Sequence, residues 1–122
     1  MKSESEIQRE IIKWSRHQAA TGKIPELALL YSNLTGAHLA NGPVQWGNLV
    51  KEGARAGIPD LHLPVARSGY NSIYFEVKTE KGYLSNNQKR VIELLRKHTN
   101  NVVIVRSLEG FKTEVKAYLN DE

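Results

Sequence analysis

Two carboxylates, Asp60 and Glu76, and one lysine, Lys78, stand at intervals that suit metal-assisted hydrolysis. Residues two apart on a strand point to the same face, so a strand through Ile73 to Thr79 would present Glu76 and Lys78 side by side. Breaking a phosphodiester takes a cation that neutralises charge on the phosphate and acidifies the attacking water, and magnesium takes a few carboxylates plus waters. Glu76 would hold such a cation, Lys78 would hold the water, and Asp60 on a partner strand would complete the site. Each fragment alone has an ordinary reading. A Glu-x-Lys triplet is common on the wet face of a hairpin, and an Asp after a Pro is common where a turn enters a strand.

The elements that must position these residues follow from periodicity. Ile7, Ile11 and Trp14 recur at helical spacing from Ser3 to about Ala20, with Ser3 and Glu6 fitting a capping box. Leu27 to Tyr31 is a short apolar run that reads as a buried strand ending at Ser32 and Asn33. Gly36, Asn41, Gly42 and Pro43 mark a loop, and a short helix over Val44 to Ala54 comes next. Leu61, Leu63 and Val65 alternate with Asp60 and His62, while Ile73, Phe75 and Val77 alternate with Tyr74, Glu76 and Lys78. Gly69 and Asn71 between the two segments suit a hairpin loop, which leaves the polar set on the hairpin's wet face. Ser85 to about Thr99 is helical, with Ser85 and Gln88 as a second capping box and a stripe of Val91, Leu94, Leu95 and His98. Asn101 to Arg106 reads as a strand buried on both sides, and Leu108 to Leu119 as a closing helix.

Composition narrows the chemistry. The chain has 122 residues, enough for one domain with one core, and 40% are hydrophobic and 25% charged. No run approaches a membrane span, and no apolar signal segment opens the sequence, so a cytosolic setting is the expectation. Zero cysteines exclude disulfides, thiolate zinc sites and cysteine nucleophiles. The four histidines are scattered, which leaves a hard, oxygen-liganded metal as the better candidate. A net charge of +4 makes polyanions plausible partners.

In chain order, Gly57-Ile58-Pro59-Asp60-Leu61, Glu76-Val77-Lys78 and Gly82-Tyr83-Leu84-Ser85-Asn86-Asn87-Gln88 form a string that resembles the virus-type replication-repair nuclease (VRR-NUC) family of the PD-(D/E)xK superfamily. The opening Glu4-Ser5-Glu6-Ile7-Gln8 is similar to that family's first helix, so the resemblance spans essentially the whole chain. It implies an α/β fold, a restriction-endonuclease-like mixed sheet with helices on both faces in the order α-β-α-β-β-α-β-α. It implies that Asp60 and Glu76 bind magnesium, or manganese in its place, that the Val77 carbonyl joins them, and that Lys78 acts on the water. It also implies a metal-supporting first-helix glutamate and a catalytic glutamine, for which Glu4 and Gln88 match. Glu6 is the alternative to Glu4, though Glu6 has a capping role opposite Ser3.

DNA is the implied partner. Arg67, Lys81, Lys89 and Arg90 lie just beyond the proposed centre in sequence, and Lys51 and Arg55 precede it, each also readable as a solvated surface cation. Tyr83 and Trp46 could stack on an unpaired base, with core packing the stronger expectation for Trp46. His62 shares a side with Asp60, where a structural role competes with a phosphate contact. The resemblance implies a homodimer acting on branched DNA such as a four-way junction, in a phage or bacterial cell. The apolar Leu34 to Trp46 segment is a candidate interface. The alternatives are a DNA-binding module with an incidental acidic cluster and a restriction-type nuclease.

Overall fold

The computed structural model describes residues 1–33 and 42–120. Helix α1 (Glu4–Ala20) starts from the Ser3 capping box, in which Ser3 Oγ accepts from the Glu6 amide and Glu6 accepts from the Ser3 amide, both at 3.1 Å. The apolar run after Pro25 is not the strand the sequence suggested. Pro25–Leu29 is a 3-10 helix, and strand β1 is confined to Tyr31–Ser32. The run is Leu and Ala rather than β-branched, so helical turns are its cheaper local state once Pro25 sets the first φ. Helix α2 (Gly42–Lys51) starts earlier than expected, at Gly42 and Pro43; Gly36 and Asn41 lie outside the described residues.

Strands β2 (Leu61–Leu63) and β3 (Ser72–Val77) form the expected antiparallel pair, with Leu61 opposite Phe75 and Leu63 opposite Ile73. Ser68 and Gly69 turn between them with φ of 54° and 79°, the double positive φ that a tight hairpin turn needs. Helix α3 (Asn86–Lys97) crosses over to strand β4 (Asn100–Val105), which runs parallel to β3, and helix α4 (Leu108–Asn120) closes the chain. The sheet order is β1-β2-β3-β4. The element order therefore matches the expected mixed α/β arrangement.

One face of the sheet carries the main core. Leu61, Leu63, Ile73, Phe75, Val77 and Val105 pack against Ile7 and Ile11 of α1 and Phe111, Val115 and Tyr118 of α4. The other face is covered by α3, whose buried residues are Val91 and Ile92. The expected stripe is rotated: Gln88, Val91, Ile92 and Leu95 turn inward at helical spacing, while Leu94 and His98 are exposed. Strand β4 is likewise not buried on both sides, because it forms an edge of the sheet and Ile104 is open to solvent. Alternate carbonyls of β4 face outward there, and Arg96 of α3 donates to one of them, Val102 O, at 2.8 Å.

Candidate active site

The Gly57 to Asp60 turn delivers Asp60 to the end of β2. Gly57 has φ +89°, a conformation that favours glycine, and a Cβ there would also lie 2.7 Å from Asn87 Nδ2 and 3.0 Å from Val91 Cγ2, so α3 side chains would have to shift. Asn33 holds the exit of the turn: its side chain donates to Pro59 O at 2.9 Å and its amide to Asp60 O at 2.8 Å. Asp60 Oδ2 then accepts from the Val77 amide at 2.8 Å. N–H and C=O of one strand residue point the same way, so the Val77 carbonyl also faces the Asp60 side rather than β4. One carboxylate oxygen of Asp60 is thereby committed to the backbone.

Glu76 and Lys78 share a face, as period two requires, but that face is not wet. Glu76 is 2% exposed and Lys78 8%, because the first turn of α3 closes over them. Gln88 makes the closure: Nε2 donates to Glu76 Oε2 at 3.2 Å, and Oε1 accepts from Lys78 Nζ at 3.1 Å. The same Oε1 accepts from the Ser85 amide at 2.9 Å, so the capping box and the site use one amide at once. Lys78 Nζ lies 3.7 Å from Glu76 Oε2. Burial pushes the Glu76 carboxyl up to about 8, helped by the negative charge of Asp60 and a hydrogen bond to it; Lys78 opposes this, and the charge of Glu4 adds to it. Glu4 is thus felt at the site, whereas Glu6 is held below its ordinary value by the Ser3 backbone and hydroxyl.

The remaining expectations separate. Arg67 is not brought to the centre: it sits in the β2–β3 turn, at the other end of β3, and its Nη2 pairs with Glu26 Oε2 at 3.1 Å. A strand of six residues spans about 20 Å, which a linear reading of the sequence could not reveal. Lys81, Lys89 and Arg90 are exposed beyond the Gln88 end of the site, and Lys51 and Arg55 are exposed ahead of Gly57. His62 is fully used by its neighbours. Ser72 donates to Asn100 Oδ1 at 2.7 Å, so His62 Nε2 donates to Ser72 Oγ at 2.9 Å and Nδ1 accepts from Tyr31 Oη at 2.8 Å. Its ring also stacks on Tyr74 at 3.9 Å.

Asn33 and Arg106 are positioning residues that sequence reasoning missed. Arg106 Nη1 donates to Thr79 O and Gly82 O at 2.7 Å each, and to Glu80 O at 3.4 Å, which clamps the loop leaving Lys78. Neither carries a local sequence signal, since their partners lie more than 20 residues away. A groove of about 700 Å³ lined by Trp14, Leu108 and Arg106 contains none of Asp60, Glu76 and Lys78.

Arranged this way, the site offers a carboxylate pair in contact, a backbone carbonyl aimed toward it and a buried ammonium. The VRR-NUC domain model matches residues 2–109. A solved structure described as a VRR_NUC domain protein superposes with a TM-score of 0.80 at 22% identity, over 98% of this chain and 90% of the other. No curated protein matches the sequence. With the family model covering most of the chain, including every residue of the site, the protein belongs to the VRR-NUC family, a family of nuclease-type DNA-processing domains.

Proposed function

We propose that this chain is a divalent-metal-dependent endonuclease that hydrolyses DNA phosphodiester bonds. The observation that carries the reading is the buried Glu76, hydrogen-bonded to the half-buried Asp60 and 3.7 Å from Lys78 Nζ, with its carboxyl raised to about 8. Burial and the neighbouring Asp60 disfavour charge on Glu76, and a cation relieves that cost. Among the described residues no group of three His, Cys, Asp or Glu side chains is placed to hold a metal together. The fit is instead to magnesium or manganese, which keep waters and need only one or two carboxylates. Such an ion would be held by Asp60, Glu76 and the Val77 carbonyl, with Glu4 in support, and would neutralise phosphate charge and acidify a water. Lys78 would hold the attacking water, and Gln88 fixes Lys78 relative to Glu76. Lys51, Arg55, Lys81, Lys89 and Arg90 contact the DNA backbone, while Arg67 is left out because of its pairing with Glu26.

The finer reading is a homodimer that prefers four-way junctions. Symmetric cutting of a branch needs two equivalent sites, and a second chain supplies the second one. Helix α2 supports this, since none of its residues is buried and Val44 is 73% exposed, with Trp46 half-buried. Leu34 and Leu39 of the candidate interface lie outside the described residues.

The test is to incubate the protein with a four-way junction, linear duplex and plasmid, with and without magnesium or manganese. Cleavage should require the cation, and Asp60→Asn, Glu76→Gln and Lys78→Met should each lower it by about 10²–10⁴-fold. Binding without cation-dependent cutting would instead identify a DNA-binding module, and discrete sequence-specific fragments a restriction-type enzyme. Light scattering that gives a monomer, or equal cutting of junction and duplex, would remove the finer reading.

A further inference from the structure

Tyr83 is 85% exposed, the same exposure as the chain's first residue, Met1, yet the loop before it is held by several hydrogen bonds. The three Arg106 hydrogen bonds fix Thr79, Glu80 and Gly82, and the Gly82 amide closes a turn onto Thr79 O at 3.1 Å. Two residues further on, the Ser85 capping box fixes Gln88, which touches both Glu76 and Lys78. Consecutive Cα atoms are about 3.8 Å apart, so Tyr83 Cα lies within about 8 Å of Ser85 Cα. Tyr83 therefore projects from the loop that joins Lys78 to the Gln88 helix turn, and the exposed cations Lys81, Lys89 and Arg90 lie on that same loop and helix start.

A large ring left in water on a fixed backbone gains nothing in the free protein, but it binds a flat partner with little ordering cost. Phosphate-binding cations on either side select a nucleic acid strand, and an aromatic face among them selects a base that has left its stack. We propose that Tyr83 is a stacking platform for an unpaired nucleobase on the DNA strand engaged by the Asp60–Glu76–Lys78 site, and so confers preference for DNA with unpaired or splayed bases. This rests on the nuclease reading for the identity of the strand. It adds a specificity-determining residue outside the catalytic set.

The experiment uses a forked duplex with 2-aminopurine in its unpaired arm, in EDTA so that nothing is cut. Wild-type protein should quench the fluorophore, Tyr83→Phe should keep the quench, and Tyr83→Ala should lose it and bind the fork roughly tenfold more weakly. The affinity for a fully paired duplex should fall much less. Unchanged melting temperature in Tyr83→Ala verifies folding. Equal quenching and equal fork affinity in wild type and Tyr83→Ala would overturn the proposal, as would a change confined to the molecular mass in solution, which would make Tyr83 a contact between copies of the chain. Because the readout needs no cleavage, a protein that stacks the base but never cuts DNA would refute the nuclease reading while leaving the platform in place.

Discussion

Among the described residues Glu76 carries the largest pKa shift, and pH acts on it with a definite sign. Its folded value of about 8 lies above the ordinary 4.5, so the folded state keeps a proton that the unfolded chain has lost. That stabilisation is complete below 4.5 and lost as pH rises through about 8. Burial lowers His62 from 6.5, so its contribution is present above 6.5 and lost as pH falls through the folded value. Between pH 6.5 and 8 the Glu76 contribution falls steeply, and without divalent cations it should remove roughly 1–2 kcal/mol of stability from wild type over that interval. Urea unfolding in EDTA at the two ends of the window measures it, and Glu76→Gln should flatten the slope. Manganese affinity should rise over the same range, because binding must displace the proton; a titration showing no pH dependence would contradict the protonated Glu76. At this scale the sequence was informative about partners and silent about environment. Period two placed Glu76 beside Lys78, and Pro-Asp marked Asp60, but alternation names a face without saying what covers it. The cover is Gln88, and it arrives from a helix whose approach depends on the whole crossover.

At the scale of elements, the site depends on three segments meeting: the Gly57 turn, the end of β3 and the first turn of α3. Gly57 is where two of them touch, and its Cβ space is occupied by Asn87 and Val91. Gly57→Ala combines a disfavoured positive φ with that clash and should cost about 2–3 kcal/mol, or about 10 °C in Tm. Activity measured well below the new Tm should fall further than the loss of folded protein explains, because the turn that moves carries Asp60. A variant with unaltered Tm would show that α3 can yield at this point. The capping boxes at Ser3 and Ser85 were legible because a cap is a local hydrogen-bond pattern. The Leu27 to Tyr31 run was not, since a short apolar stretch fits a strand or a helical turn and tertiary contacts decide. The rotated stripe of α3 has the same origin: Ile92 and Leu94 are equally apolar in sequence, and the docking angle buries only Ile92.

On the scale of the whole molecule, the polar chain Tyr31–His62–Ser72–Asn100 crosses every strand of the sheet and ends at Leu95 O of α3. A one-residue slip of any strand would break it, so it fixes register on the face opposite the main core. The sheet's outer margin at β4 is managed by different means. The Lys78 amide donates to Val105 O, which therefore faces β3, and alternation turns Val102 O away from the sheet. An outward carbonyl row on a strand of Val and Ile invites another chain to add a strand and continue the ladder. Arg96 occupies Val102 O and sets a positive charge on that margin, where an incoming chain would need to bond. The guanidinium thus serves as a guard against polymerisation. Arg96→Ala should shorten the lag of thioflavin-positive aggregation at temperatures below melting, with Arg96→Lys intermediate because a cation remains. Such protection has no bearing on catalysis and a large one on how long the protein survives at the high concentrations of a purified stock.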